Sequence, residues 1–235
     1  MAAGFQCKQF FIDHQHCAMK VGTDALLLGA WARIPASGSL LDIGCGSGIL
    51  SLMLAQRSQG RLPITALDLD AGAAQQSRIN VAASPWPATI QVLQQDILTY
   101  QPAERYSLLL CNPPYFHQAL PARDPARQLA RHSASLPWPQ LMQQAAKLAS
   151  EDADFALVIP TDGLPLLLQA AEMSGWQLRR LCQVQPNPHK AVRRALVQLS
   201  RQPVVPEHSQ LCIQQHDGQY SEAYRQLLKD FYLKF

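Results

Sequence analysis

Between Ser39 and Ile159 the chain alternates between short apolar segments of strand length and longer segments of helical composition, and this alternation narrows the possible folds more than any other feature. Ser39 to Ile43 reads as a buried strand running into glycines, and Ile49 to Arg57 as a helix. Ile64 to Leu69 is a second strand and Ala71 to Ala82 a second helix. Thr89 to Leu93, Ser107 to Cys111 and Phe155 to Ile159 read as further strands. Pro137 and Pro139 open a helix running to about Ser150, because proline is tolerated in a first turn. Leu164 to Met173 is another helix, with Gly175 placed to cap it. Strands joined by helices need right-handed crossovers, which yields a mostly parallel sheet. The pattern then changes. Gln177 to Val184 and Ala195 to Ser200 have no helix between them and should pair as an antiparallel hairpin. The expectation is an α/β, Rossmann-like, seven-stranded and mostly parallel sheet ending in that hairpin, followed by a terminal helix from Ser221 to Phe231.

Composition supports a packed fold and removes several function classes. With 48% hydrophobic and 16% charged residues over 235 positions, one domain can bury a core and disorder is not expected. The longest apolar run, Ala25 to Ala32, is too short to span a bilayer. Met1 to Cys7 has no basic region followed by an apolar stretch, so the chain is expected in the cytoplasm. None of the six cysteines forms a CxxC pair, and His14, His16, His117 and His189 lack ligand spacing, so no metal is expected. No membrane contact or obligate protein partner is evident. The net charge of +3 matters through its distribution. No acid lies between Glu172 and Glu207, whereas Arg179, Arg180, Lys190, Arg193, Arg194 and Arg201 do. Such a stretch is either a solvated surface or a phosphate-binding one.

The glycine turn Leu41-Asp42-Ile43-Gly44-Cys45-Gly46-Ser47-Gly48 follows an apolar strand and precedes a helix. Glycines allow a sharp turn and close approach of backbone to a ligand. A dinucleotide fingerprint requires glycine or alanine where this chain has Ile49. The pattern is instead GxGxG preceded by Asp42, which resembles the S-adenosylmethionine motif. Asp68, ending the second strand, can accept hydrogen bonds from both hydroxyls of a ribose. Asp70 reads as the N-cap of the following helix. Asp96 either accepts a bond from an adenine amino group or is an ordinary loop acid.

The most specific signal is Asn112-Pro113-Pro114-Tyr115, directly after the strand Ser107 to Cys111. Two prolines end the ladder and fix the chain, so the Asn112 side chain is held in place. An amino group conjugated to a ring is a poor nucleophile because its lone pair is delocalised. The Asn112 side-chain oxygen and the Pro113 carbonyl can each accept one of its hydrogens, while Tyr115 stacks on the planar base. The motif stands at the carboxyl end of a strand, as the glycine turn does, which is where ligands bind in such sheets.

These motifs resemble the amino-methylating class I methyltransferases. Phe10-Phe11, Met19 to Trp31, Tyr220 to Tyr224 and Phe231-Tyr232-Leu233 resemble more narrowly the bacterial tRNA1(Val) (adenine-N6)-methyltransferase family, over nearly the whole chain. The resemblance implies S-adenosylmethionine as cofactor and a tRNA adenine beside the anticodon as substrate. It implies that Asp42, Gly44, Gly46, Gly48, Asp68 and Asp96 hold the cofactor, and that Lys20 and Thr23 belong to a segment covering its methionine end. Thr23 or Asp24 could equally cap the helix from Ala25. Asn112, Pro113 and Tyr115 would hold the target base. Residues 1–35 would cover the site, 36–201 form the catalytic core and 202–235 extend it, all within one domain.

Pro114, with Arg127 and Arg131 after it, is expected near the substrate; the two arginines are four apart and could share a helical face toward phosphates. Arg193 and Arg194 are expected as further RNA contacts at the hairpin tip. A glutamine side-chain amide has the same delocalised nitrogen, so a release-factor type protein glutamine N5-methyltransferase is the alternative. Gly44 comes too early to leave room for the helical domain of that type.

Overall fold

In the computed structural model, which describes residues 4–14, 21–113 and 137–234, the alternating segments form one eight-stranded sheet, and a two-stranded hairpin lies apart from it. The hairpin is β1 (Gly4–Gln6) with β2 (Phe11–Asp13), followed by helix α1 (Thr23–Trp31). The alternating region runs β3 (Leu40–Ile43), α2 (Ile49–Ser58), β4 (Ile64–Asp68), α3 (Ala71–Ala82), β5 (Ile90–Gln94) and β6 (Tyr106–Cys111). After it come α4 (Trp138–Leu148), β7 (Ala149–Pro160), α5 (Leu164–Met173), β8 (Gln177–Gln185), β9 (Arg194–Ser200), β10 (Glu207–Cys212) and α6 (Glu222–Leu228).

Spatially the strands are ordered β10-β8-β9-β7-β6-β3-β4-β5. Every pairing is parallel except those that β9 makes with β7 and β8. From β3 the chain winds outward through β4 to β5, then returns to lay β6 on the other side of β3. The strand order therefore reverses between β3 and β6, which opens a crevice at their carboxyl ends.

Side-chain alternation splits the core in two. Leu40, Leu108, Leu110, Ala156 and Val158 join the cluster that packs under α1 and α2. Leu41, Ile43, Leu109, Phe155 and Leu157 join the cluster under α4 and α5. Successive residues of one strand point to opposite faces, so continuous apolar runs mark strands covered on both sides. Gly175 ends α5 as expected: with φ 76° it lets its own N–H reach the Glu172 carbonyl at 3.0 Å and the Trp176 N–H reach the Ala171 carbonyl at 2.9 Å.

The sheet has one strand more than the seven expected. β10 adds parallel to β8 at the edge, and Glu207 to Gln210 are exposed. A solvent-facing edge strand carries no apolar alternation, which is why the sequence concealed it. Its backbone ladder to β8 sets its place, and ion pairs join it at Glu207. Arg33 binds Glu207 with both guanidinium nitrogens at 2.8 Å, and Arg180 lies 3.8 Å from Glu207 and stacks over the Trp31 ring.

The end of the chain folds back on the beginning. Ser221 caps α6 through the Tyr224 N–H at 3.1 Å. The Lys8 N–H donates to the Phe231 carbonyl at 2.9 Å, and Gln56 of α2 donates to the Asp230 carbonyl at 2.8 Å. The Phe5 ring meets Tyr232 edge-on. Phe231 is only 2% exposed and belongs to the α1–α2 cluster. Phe231→Ala is accordingly expected to lower unfolding free energy by about 3–5 kcal/mol. Urea denaturation measures this, and a loss below about 1 kcal/mol would mean that the last residues add nothing to the core.

Candidate active site

The glycine turn leaves β3 at Ile43 and is anchored to β4: the Gly44 and Cys45 N–H groups both donate to the Leu67 carbonyl at 2.9 Å. Gly44, Gly46 and Gly48 have φ of 72°, 54° and 83°, all in the left-handed region where a side chain is strained. Their surroundings differ. A Cβ on Gly44 or Gly46 would meet nothing within 4 Å among the described residues, which leave open room beside the first part of the turn. A Cβ on Gly48 would come 2.6 Å from the Ser77 hydroxyl oxygen of α3, so that glycine serves packing.

Asp68 braces the turn from the end of β4. Its Oδ2 accepts from the Gly46 N–H at 2.8 Å and its Oδ1 from the Asp70 N–H at 2.9 Å. A carboxylate has about four lone-pair sites, so capacity remains for further donors. Asp70 accepts from the Ala73 N–H at 2.8 Å and caps α3, as the sequence suggested. Leu69, between the two acids, is 70% exposed and places apolar surface at this strand end. Nothing but that isolated exposure distinguishes it, and sequence reasoning passed it over.

Asp42 lies under the turn and is fully buried. Its Oδ2 accepts from the Ser51 N–H at 3.1 Å and from the Ser51 hydroxyl at 2.7 Å. Its Oδ1 has no hydrogen-bond partner among the described residues. Burial pushes its pKa up to about 6, with the Asp68 charge adding to the rise and the two Ser51 bonds opposing it. A buried, half-satisfied carboxylate is costly in isolation and favours a nearby donor or cation.

Asn80 of α3 is a second residue that sequence reasoning missed. Its amide donates to the Ser47 carbonyl of the turn at 2.8 Å and to the Asp13 carbonyl of β2 at 2.7 Å, and its oxygen accepts from the Asp13 N–H at 3.0 Å. One side chain thus ties the N-terminal hairpin to the glycine turn. Its only sequence signal is an amide on an otherwise buried helix position, a common enough pattern to be overlooked.

Register brings the two principal motifs together. Ile43 of β3 is paired with Cys111 of β6 in parallel, so Gly44 and Asn112 are the first residues beyond two neighbouring strand ends. Neighbouring strands lie about 4.8 Å apart. Asn112 and Pro113 are half-buried there. Asp96 follows β5 at the same edge and accepts from the Leu98 N–H at 2.9 Å, closing a local turn. Cys45 and Cys111 are buried at this edge, and burial raises their thiol pKa values, which disfavours the nucleophilic thiolate.

Thr23 is the first residue of α1 and exposed, but Gly22 is the N-cap and no side chain bonds there, so neither Thr23 nor Asp24 caps the helix. Asp24 instead pairs with Arg194 at 2.8 Å. Arg194 opens β9 opposite Pro160, at the same carboxyl edge, and Arg193 beside it is exposed. Lys20, Pro114, Tyr115, Arg127 and Arg131 lie outside the described residues. Among the described residues no group of three or more His, Cys, Asp or Glu could hold a metal ion, and no helix is long and apolar enough to cross a membrane.

Comparison with known proteins places these features in context. Residues 16–136 match the methyltransferase small domain family. The chain is 44% identical over 234 residues to the tRNA1(Val) (adenine(37)-N6)-methyltransferase of Pseudoalteromonas translucida (strain TAC 125), covering 99% of each chain. It is 43% identical over 230 residues to the protein of the same name from Tolumonas auensis (strain DSM 9187 / NBRC 110442 / TA 4), covering 98% of this chain and 97% of that one. Among solved structures, a predicted O-methyltransferase, protein Atu636 from Agrobacterium tumefaciens, is similar with a TM-score of 0.68 at 16% identity, over 88% of this chain and 96% of the other. The ribosomal protein L11 methylase of Lactobacillus delbrueckii subsp. bulgaricus gives 0.54 at 19% identity, over 76% and 78%. Both likenesses bear on the fold alone.

The raised pKa of Asp42 has a defined consequence for the unliganded protein. The unfolded chain ionises Asp42 near the ordinary aspartate value of about 3.9, before the folded chain does. The associated stability is present below that pH and is lost as pH rises through about 6. Asp42→Asn removes the titration, so the variant should gain on the parent by up to about 3 kcal/mol between pH 4 and pH 7. Urea midpoints across that range test this; a constant gap between the two proteins contradicts it.

Proposed function

The chain belongs to the tRNA1(Val) (adenine(37)-N6)-methyltransferase family, and on that basis we propose that it methylates the exocyclic N6 of the adenine beside the anticodon of tRNA1(Val), with S-adenosylmethionine as methyl donor. The observation that carries the reading is the register of Ile43 with Cys111, which sets the glycine turn and Asn112 side by side at one sheet edge. The substrate suits a cytoplasmic enzyme, and we assign the whole chain to one methyltransferase domain.

The residues at this edge fit the donor. The open room beside Gly44 and Gly46 suits a ligand held close to backbone. The Asp42 Oδ1, without a hydrogen-bond partner among the described residues, suits the neighbourhood of an ammonium group. Asp68 retains acceptor capacity for ribose hydroxyls, and Asp96 and the exposed Leu69 suit an adenine amino group and ring face. When bound, S-adenosylmethionine supplies an electrophilic methyl group on a sulfonium.

The chain's own residues act on the nitrogen that receives it. The Asn112 side-chain carbonyl and the Pro113 main-chain carbonyl accept the two N6 hydrogens. That pairing orients the amino group and draws its lone pair out of conjugation with the ring. Tyr115 stacks on the base and keeps the nitrogen in line. The nitrogen becomes strongly acidic once alkylated, so its proton leaves after transfer and no general base has to act first. Rate is gained from positioning and from fixed dipoles aimed at the developing charge. A glutamine amide presents similar chemistry, but membership of a tRNA-modifying family decides for adenine.

Incubating purified protein with bulk tRNA and S-adenosylmethionine, then separating nucleosides by mass spectrometry, should yield N6-methyladenosine. Its absence would refute the assignment. Asn112→Ala should lower turnover by about a thousandfold while leaving the donor dissociation constant within about threefold. Asp68→Ala should do the reverse, weakening donor binding by about tenfold or more in calorimetry. An unchanged constant would remove the ribose role.

A further inference from the structure

The acid-free stretch between Glu172 and Glu207 does not act as a single surface. Arg179 pairs with Asp154 at 2.9 Å, Arg180 stacks on Trp31 beside Glu207, and Arg194 pairs with Asp24. Arg201 donates to the Ser174 and Gly175 carbonyls and lies over the Trp176 ring. Lys190 and Arg193 remain. Both are exposed on the β8–β9 turn, and neither has a carboxylate at ion-pair distance among the described residues.

That turn projects from the same edge as Gly44 and Asn112, because Arg194 at the start of β9 is paired with Pro160 at the end of β7. The segment after β10 reaches the same edge, since Cys212 is paired with Gln185. Backbone bonds hold the two segments together: the Ile213 N–H donates to the Gln185 carbonyl at 2.9 Å and the Gln214 N–H to the Pro186 carbonyl at 3.0 Å. Across this junction His189 Nε2 lies 3.3 Å from His216 Nδ1, with the rings edge to face. One nitrogen donates and the other accepts, which leaves each imidazole its second ring nitrogen. A shallow concavity lined by Pro188, Gln215, His216 and Asp217 adjoins the pair. Asp217, the acid of this segment, accepts from the Gln219 N–H at 2.9 Å.

We propose that the β8–β9 turn and the segment after β10 form an RNA-backbone docking surface, on which Lys190, Arg193 and the His189–His216 pair take phosphates flanking the adenine held at Asn112. The inference rests on the RNA-methylating reading above and adds to it where the RNA lies. Three strand spacings separate β6 from β8, or about 14 Å, so the surface is within reach of nucleotides close to the target. Cations without acid partners and outward-facing ring nitrogens, on a backbone-fixed support, suit phosphate oxygens. Arg194, expected from sequence to share this role, is engaged by Asp24 and is left out of it.

The test is binding of full-length tRNA transcript by fluorescence anisotropy over a range of salt. K190E/R193E should weaken binding at least tenfold and flatten the log–log salt slope by between about 1 and 2, as for two lost phosphate contacts. H189A/H216A should weaken binding about threefold or more with the donor dissociation constant unchanged. R61E/R105E, an equal charge change in the cleft at the opposite sheet edge, should leave binding near the parent value. The proposal is overturned if K190E/R193E keeps the parent slope, or if R61E/R105E costs as much. It also falls if the histidine variant binds tRNA as the parent does. These outcomes are separate from failure of the function itself, because the unaltered protein is assayed for N6-methyladenosine in parallel.

Discussion

The parallel pairing of β3 with β6 is the constraint on which the remaining structure depends. Each of these strands contributes a short buried run, and Asp42 of β3 is the polar residue within them that the site uses. Their register sets the turn that follows one beside the motif that follows the other. A slip of one residue would turn every side chain of the strand to the opposite face, exchanging the cores that Leu40 and Leu41 enter. The apolar alternation on both faces therefore protects the site geometry, although none of those side chains belongs to the site.

Around that junction the polar groups are incompletely satisfied in a directed way. Asp68 accepts from the turn, and Asp42 accepts twice from Ser51 while one of its oxygens has no partner among the described residues. A core built only for stability would pair or remove such a carboxylate. Gly44 and Gly46 add open space where a side chain could have packed. Asn80 then couples this turn to the N-terminal hairpin, so hydrogen bonds tie the hairpin, the glycine turn and α3 together. Beside the hairpin, the folded-back C-terminus buries Phe231 against the same helical layer. Both chain ends are thereby recruited to the support of one sheet face.

The charge distribution shows how far tertiary structure revises a linear reading. Six cations in a stretch without acids resemble a nucleic-acid stripe. In the fold their strands expose them to acids from elsewhere: Asp154 from β7, Glu207 from β10 and Asp24 from α1. The antiparallel return of β9 leaves Arg179, Arg180 and Arg201 toward one end of the hairpin and Lys190, Arg193 and Arg194 at the other. Lys190 and Arg193 remain exposed without an acid at ion-pair distance among the described residues, at the edge that carries Gly44 and Asn112.

The sequence alone determined the parallel core, the antiparallel hairpin that follows it, the Asp70 cap, the Gly175 terminus and the identity of the Asn-Pro motif, because each depends on local periodicity or on a backbone conformation only certain residues adopt. It also determined the family, through segments at both ends of the chain. Only the tertiary structure decided that Glu207 to Cys212 is a strand, that Asp24 binds Arg194 instead of capping α1, that Asn80 bridges two distant segments, and which cations remain exposed. Those features are pairings between residues far apart in the chain. Their energy comes from partners that no local window contains, so they exist only once the strands have taken their order.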